Sequence, residues 1–132
     1  MTNNITTTSL KKPSNGVEKK EYIIDATGKR LGRLGTEVAT ILLGKNTTHF
    51  AKNGVEPVAV KVTNAHLLDI TEKRGTHEFQ SYSGHPGGRR VETLDHLAKR
   101  LGYKEVVRRV VSGMIPKNKL HTPRMLNLEV TE

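Results

Sequence analysis

Apolar positions along this chain of 132 residues follow strand-like and helix-like spacings in turn. Residues 21–25 form a short apolar run, which predicts a buried strand. Apolar residues then recur at helical spacing, which predicts a helix over residues 32–43 that ends at Gly44 and Lys45. Residues 57–63 are rich in β-branched side chains and predict a second strand. This order indicates a βαβ unit and therefore a largely parallel sheet.

Helical spacing returns in the second half of the chain, where glycine and proline interrupt it. Apolar residues from 94 to 101 form one helical face, and Gly102 ends it. A second face runs from 106 to 114, and Gly113 and Pro116 stop that helix before a polar, mostly cationic segment. The pattern predicts a packed helix that leads directly into a basic arm.

The remaining segments carry weaker patterns. Residues 64–65 predict a short helix or turn, residues 67–70 a return to the sheet, and the alternation over 126–130 a short strand. Residues 71–90 are polar and contain glycines, and a loop of that length in a small domain is usually functional or disordered. Residues 1–20 are rich in Thr, Asn and Lys without apolar periodicity, and we predict a disordered N-terminal extension there.

Composition limits the classes of function that this chain can have. The 22 Lys and Arg residues exceed the 13 Asp and Glu residues, giving a formal net charge of +9. A charge of this size indicates a polyanionic partner, the alternative being a soluble protein with a merely basic surface. The absence of cysteine excludes disulfides, zinc ribbons and thiolate nucleophiles. No apolar run approaches the roughly 20 residues that span a bilayer, and residues 21–132 suit a single domain.

The first candidate basic site is the glycine-rich turn at residues 28–35, between the first strand and helix. The N-terminus of a helix attracts phosphate, and Lys29, Arg30 and Arg33 would strengthen that attraction. The glycine spacing matches neither a dinucleotide-binding nor a P-loop fingerprint. Three interpretations stay open: contact with a phosphate backbone, tight packing of the helix on the strand, and a nucleotide pocket.

Two further basic segments lie in the second half of the chain. The glycines of residues 82–90 allow close approach of the backbone to a surface, and Arg89 and Arg90 can each bind phosphate with two hydrogen bonds. In residues 116–119 the two lysines provide point charges, while Asn118 can bond to a 2′-hydroxyl, to a base edge or within its own turn. The alternatives are an ordinary flexible loop and a solvated cluster of charges at a helix end.

Catalytic and metal-binding patterns are missing from the sequence. The six histidines are scattered without metal-ligand spacing, and no serine lies in a G-x-S-x-G motif. Asp25 and Asp69 end apolar runs, where a turn-capping role is expected. We therefore predict no catalytic residues, no metal, no cofactor and no small-molecule substrate.

Five segments together, in the same order along the chain, are similar to segments of one protein family. The sequence resembles the large-subunit ribosomal protein thirteen family of bacterial type, a universal ribosomal protein. The matching segments are Tyr22–Ala26 with Leu31–Leu34, Leu43–Lys45, Val60–Ala65, Ser83–Gly88 and Gly113–Asn118.

This resemblance implies a fold, a role and a set of partners. The fold is α/β, with three layers (α/β/α), a small and mainly parallel central sheet, and extended basic loops. The role is that of a structural component of the large ribosomal subunit that binds large-subunit rRNA and joins early in assembly. The partners are that rRNA, neighbouring ribosomal proteins and, in some family members, their own messenger RNA. The location is the cytoplasmic ribosome, or an organellar one.

The residues predicted to contact RNA are cationic, with one asparagine among them. They are Lys29, Arg30, Arg33, Lys45, Arg89, Arg90, Arg108, Arg109, Lys117, Asn118, Lys119 and Arg124. Two alternatives to a ribosomal component are a free-standing RNA-binding translational regulator and a small α/β enzyme that binds a nucleotide phosphate at residues 28–35.

Overall fold

The computed structural model describes residues 5–9, 19–48 and 50–132 of the chain. The elements, in order, are β1 (Ile5–Ser9), β2 (Lys20–Asp25), α1 (Leu31–Leu42), β3 (Val58–Thr63), a 3₁₀ turn (Ala65–Leu67), α2 (Glu72–Gly75), β4 (Glu78–Tyr82), β5 (Arg89–Thr93), α3 (Leu94–Met114), α4 (His121–Leu126) and β6 (Leu128–Val130).

The main sheet has four strands in the order β1-β2-β3-β6. Strands β2 and β3, and strands β3 and β6, pair in parallel, so that Ile24 lies beside Val62 and Val62 beside Val130. Strand β1 pairs with β2 in the antiparallel direction. The predicted α/β fold with a small, mainly parallel sheet is confirmed.

Strand β1 lies inside the segment predicted to be a disordered extension. The prediction for residues 1–20 differs from the structure at Ile5–Ser9, where the backbone pairs with the edge of β2. Three consecutive threonines favour this extended backbone, because β-branched residues fit a strand without needing an apolar alternation. Residues 1–4 and 10–18 lie outside the described residues.

The hydrophobic core lies on one face of the sheet, under helices α1 and α3. The strands bury Ile24, Val60 and Val62 on this face, together with Leu128 and Val130 from β6. On the opposite face Lys61 and Glu129 form an exposed pair, with 3.9 Å between their charged atoms. Within the described residues, the sheet and the helical layer of α1 and α3 form two of the three predicted layers.

Helix α1 approaches helix α3 closely because Gly35 has no side chain. A Cβ atom at this position would lie 3.0 Å from both Val110 Cγ1 and Met114 Sδ. Gly35, the last glycine of the 28–35 turn, therefore serves packing, which is one of the open interpretations. It packs against helix α3, whereas that interpretation expected a strand. Helix α3 itself bends at Gly102, whose φ of 80° interrupts the helical backbone where the sequence predicted an end.

Several segments differ from their predicted structure. Residues 67–70 form no strand, and Asp69 makes only an isolated bridge with Arg30. Residues 71–90 contain helix α2 and most of the β4–β5 hairpin instead of one long loop. The hairpin escaped detection because nearly all of its side chains are solvated, which leaves no alternation of apolar and polar positions. The short helix α4 was also not predicted.

Candidate nucleic-acid interface

Hydrogen bonds to Asp25 shape the turn between β2 and α1. Asp25 Oδ1 accepts hydrogen bonds from the Thr27 amide (3.0 Å), the Thr27 hydroxyl (2.7 Å) and the Asn64 side-chain amide (3.1 Å). The bonds from Thr27, with a further one from Asn64, lower the pKa of Asp25. Asp25 therefore has the turn-capping role expected of it, and it positions the chain that leads through Lys29 and Arg30 into α1.

Lys29 and Arg30 follow this turn, and each is paired with an acid. Lys29 Nζ lies 2.8 Å from Glu37 Oε2, and the Lys29 side chain is only 29% exposed. Arg30 Nε lies 3.7 Å from Asp69 Oδ2, and the Arg30 side chain is 69% exposed. Because an exposed pair at this distance is weak, Arg30 remains able to bind phosphate, whereas Lys29 is committed to Glu37.

Three arginines surround a groove beside the start of α1. Arg30, Arg33 and Arg74 line this cavity of about 320 Å³, together with the Ile70–Thr71 segment. We call these three arginines the first basic surface. Arg74 is absent from the predicted set, because the sequence pattern predicts a loop over residues 71–90. Arg74 ends a charged run that follows Thr71, and threonine is a common helix-capping residue. This pattern is the signal that could have identified it.

Lys45 lies at the other end of α1. Gly44 ends the helix with a φ of 76°, as predicted, and Lys45 follows it with an exposed side chain. A helix of 12 residues is about 18 Å long. The structure therefore does not bring Lys45 together with the first basic surface.

The β4–β5 hairpin carries Arg89 and Arg90 on a solvated arm. Gly84 and Gly87 adopt positive φ angles of 87° and 74° in the connecting loop, which glycine tolerates and other residues rarely do. Arg89 Nη2 donates a hydrogen bond to Gln80 Oε1 across the hairpin (3.1 Å), and both arginines are exposed. We call Arg89 and Arg90 the hairpin cations.

Glu92 attaches the hairpin to both halves of helix α3. Arg100, before the bend at Gly102, donates two hydrogen bonds of 2.8 Å to its carboxylate. His96 Nδ1 lies 2.8 Å from Glu92 Oε1, and Arg109, after the bend, lies 3.8 Å from Glu92 Oε2. Glu92 is therefore a positioning residue for the hairpin cations. No sequence pattern points to this role, because the partners of Glu92 lie at both helical and non-helical spacings.

We expect the Glu92 cluster to make stability depend on acid pH. Hydrogen bonds from Arg100 and then from His96 lower the pKa of Glu92 from 4.5 to about 2. A folded-state pKa below the unfolded value stabilises the protein above pH 4.5, and this contribution disappears as the pH falls toward 2. Between these limits the unfolding free energy of wild type should therefore fall more steeply than that of Glu92→Gln. Urea unfolding at several pH values measures both slopes.

The control for this prediction is Glu78→Gln, which removes an exposed carboxylate of the same hairpin. Its pH dependence should follow that of wild type more closely than that of Glu92→Gln. Parallel curves for wild type and Glu92→Gln would contradict the role given to the cluster.

A second groove lies between strand β4 and helices α3 and α4. Arg108, Arg109 and Lys117 line it. Arg109 is partly occupied inside the protein, because it lies 3.5 Å from Glu105 Oε1 and its guanidinium carbon lies 5.9 Å from the centre of the Phe79 ring. We call this cavity the β4–α3 groove. The structure thus brings together three predicted residues that are up to nine positions apart in the sequence.

The arm after helix α3 is a tight turn with two exposed lysines. Asn118 Oδ1 accepts a hydrogen bond from the Leu120 amide (3.1 Å) within this turn. Three roles are open for Asn118 from the sequence, and its carboxamide oxygen takes the role of a hydrogen-bond acceptor within its own turn. Lys117 and Lys119 flank it with exposed side chains.

Arg124 is a correction to the predicted set of RNA-contacting residues. Its side chain is buried, with a relative exposure of 2%, because helix α4 turns it toward the loop before β3. Arg124 Nη2 donates hydrogen bonds to the carbonyl oxygens of Gly54 (2.8 Å) and Lys52 (3.5 Å). A side chain held in this way links two segments of the fold and cannot reach an external phosphate.

The twelve predicted residues therefore divide by their surroundings. Three are committed to partners inside the protein, wholly or in part: Lys29, Arg109 and Arg124. Nine are exposed: Arg30, Arg33, Lys45, Arg89, Arg90, Arg108, Lys117, Asn118 and Lys119.

The described part of the chain lacks two other kinds of feature. No three His, Asp or Glu residues there group closely enough to hold a metal ion. No helix among the described residues has the length and apolar character needed to cross a membrane.

Comparison with known proteins places the chain among ribosomal proteins. A family model described as Ribosomal protein L13 matches residues 19–132. A protein of Trichormus variabilis named "Large ribosomal subunit protein uL13" is 40% identical over 119 residues, which are 89% of this chain and 78% of that relative. Proteins of the same name from Synechocystis sp. and Microcystis aeruginosa are 42% and 41% identical over 115 residues, covering 86% of this chain and 76% of each relative.

Proposed function

Because the chain belongs to the ribosomal protein L13 family, we propose that it is a structural component of the large ribosomal subunit and binds large-subunit rRNA through its exposed cations. Relatives of this family carry the name of a large-subunit protein. The role is structural rather than enzymatic.

The observation that carries this proposal is a set of surface cations without acidic partners. Among the described residues, no carboxylate lies within 4.0 Å of the charged atoms of Arg33, Lys45, Arg89, Arg90, Arg108, Lys117 or Lys119. Surface cations of an isolated protein are usually interspersed with acids, because like charges repel one another. Unpaired cations on several surfaces of one small domain are suited to a polyanion that extends across them.

The proposed mechanism is electrostatic clamping of folded RNA. The core between the sheet and helices α1 and α3 sets the distances between the basic surfaces. The hairpin cations and the Lys117–Lys119 turn project from this core toward phosphates and 2′-hydroxyls, which are the groups that A-form RNA presents to proteins. Arginine binds a phosphate with a planar pair of donors, and lysine binds it as a point charge.

We also propose that the chain joins the subunit early, contacts neighbouring ribosomal proteins and works in cytoplasmic ribosomes. Direct binding to rRNA supports early entry, because it needs no other protein to be in place first. The comparisons give no support to a free-standing translational regulator, or to binding of the chain's own messenger RNA. The glycine spacing at residues 28–35 likewise gives no support to a nucleotide-binding enzyme.

Sedimentation of the tagged chain tests this function. We expect it to co-sediment with large subunits and translating ribosomes, and to stay with them through a high-salt wash, because contacts at several separate surfaces must all break before the chain is released. The measurement is an immunoblot across a sucrose gradient. A chain that stays at the top of the gradient, while still binding RNA in vitro, would indicate the free-standing regulator instead.

A further inference from the structure

We propose that the β4–α3 groove receives a single unstacked base of the bound RNA. This inference rests on the proposed function, because it names how that RNA is held at one place. The exposed cations elsewhere on the surface are suited to phosphates, whereas this groove combines cations with apolar and polar groups that a base can contact.

The shape of the groove suits one nucleotide. It is open to solvent, and its volume of about 660 Å³ is in the range of clefts that hold small organic ligands. One wall is strand β4, with Gln80 and Ser81, and the other is the end of helix α3, with Ser112 and Gly113. A side chain at Gly113 would project into open space, since a Cβ atom built there meets no atom within 4 Å.

The lining of the groove combines the groups that recognise an unstacked base. Phe79 and Met125 provide apolar surface. The guanidinium of Arg109 lies over the Phe79 ring, and guanidinium planes are among the groups on which bases stack. Gln80 Oε1 already accepts a hydrogen bond from Arg89, and Ser112 Oγ lies 3.2 Å from His121 Nε2. The side-chain amide nitrogen of Gln80 and the exposed hydroxyl of Thr122 remain available for the hydrogen-bonding edge of the base.

The charge of the groove favours a nucleotide over a neutral ligand. Arg108 and Lys117 line it with exposed side chains that can bind the phosphates on either side of the base. Glu105, an acid in the lining, is paired with Arg109 at 3.5 Å. The hairpin cations lie on β5, the strand paired with β4, so the groove continues a surface already proposed to bind rRNA.

An acidic protein segment is the other occupant that this charge could attract. RNA fits better, because a base provides a flat apolar surface for Phe79 and Met125 in addition to flanking negative charges. Deproteinised rRNA distinguishes these two occupants. If a base occupies the groove, filling the groove weakens rRNA binding. If a protein segment occupies it, filling the groove leaves rRNA binding unchanged.

Filling the groove from Gly113 tests the inference. Gly113→Leu places an uncharged side chain in the cavity, and Gly113→Ala is the matched control that adds only one methyl group. Both changes favour the helix at this position, so both proteins should melt at or above the temperature of wild type. Filter binding to deproteinised large-subunit rRNA at several salt concentrations then measures affinity and its salt dependence.

We expect Gly113→Ala to bind like wild type and Gly113→Leu to bind roughly 5- to 150-fold more weakly, the range expected for one stacked base. The slope of log affinity against log salt should stay unchanged, because no cation is removed. Dimethyl sulfate footprinting should show a base that wild type protects and Gly113→Leu leaves reactive. If Gly113→Leu does not fold, Ser81→Leu fills the groove from the opposite wall.

Two results would overturn the inference while leaving the proposed function intact. In one, Gly113→Leu binds naked rRNA as tightly as Gly113→Ala, so no base occupies the groove. In the other, its affinity falls together with the salt slope, so the change has disrupted phosphate contacts instead. Failure of wild type itself to bind rRNA would be a different result, because it contradicts the proposed function first.

Discussion

Replacing four cations together, Arg89, Arg90, Lys117 and Lys119, with alanine is expected to weaken binding to large-subunit rRNA about a thousandfold at 0.1 M salt. Each phosphate contact releases counterions and contributes about 0.7–0.9 to the slope of log affinity against log salt. Four contacts therefore account for about 3 log units of affinity between 1 M and 0.1 M salt. Filter binding across this salt range measures both the affinity and the loss of slope.

The control for this experiment removes the same charge from other surfaces. Its four substitutions to alanine are at exposed lysines outside the predicted set: Lys19, Lys20, Lys99 and Lys104. We expect this control to retain most of the affinity and slope of wild type. Salt screens lysines that lie far from the bound RNA, so these lysines contribute little to the attraction between protein and RNA. Equal losses in the two quadruple variants would mean that net charge, rather than these arms, determines binding. The double variant Arg89→Ala with Arg90→Ala isolates the hairpin share.

Replacing Arg124 with alanine is expected to lower the free energy of unfolding by about 3 kcal/mol. The change removes a guanidinium that is almost completely buried, and it leaves the Gly54 carbonyl oxygen without its 2.8 Å hydrogen bond. It also leaves a cavity where helix α4 packs on the loop before β3. Urea unfolding should show a lower midpoint with an unchanged m-value, which is the sign of lost stability without a change in cooperativity.

Two comparison variants separate the causes of this loss. Arg124→Met keeps most of the volume and removes the charge, so it should be less destabilising than alanine. Arg33→Ala, at an exposed arginine of the first basic surface, should change stability by less than about 0.5 kcal/mol. If Arg124→Ala unfolded like wild type and lost affinity for rRNA, Arg124 would be a contact residue after all, as the sequence alone predicted.

The large elements of the fold could be predicted from the sequence because each has a local apolar period. Strands β2 and β3 and helix α1 agree with their predicted bounds to within about two residues, and Gly44 ends α1 as expected. The helical faces on either side of Gly102, and the end of α3 before Pro116, follow from the same logic. In each case one buried face imposes its spacing on the chain, so the pattern is visible without the structure.

Elements without such a face could not be predicted in this way. The β4–β5 hairpin is solvated on nearly all positions, and β1 pairs through its backbone with the edge of β2. Whether such a segment forms a strand depends on whether the edge of another strand lies beside it in the fold. That information lies in the assembled sheet and not in the segment itself.

The sequence by itself determined the family, the α/β core and the excess of cations, because composition, apolar spacing and motif order are properties of the linear chain. Only the tertiary structure decided which cations are available. Lys29 and Arg124 look like Arg33 and Arg89 in the sequence, but folding places Lys29 against Glu37 and buries Arg124 against Gly54. The reason is physical: the Coulomb energy and the desolvation of a charged group depend on neighbours within a few ångströms, and those neighbours come from distant parts of the chain.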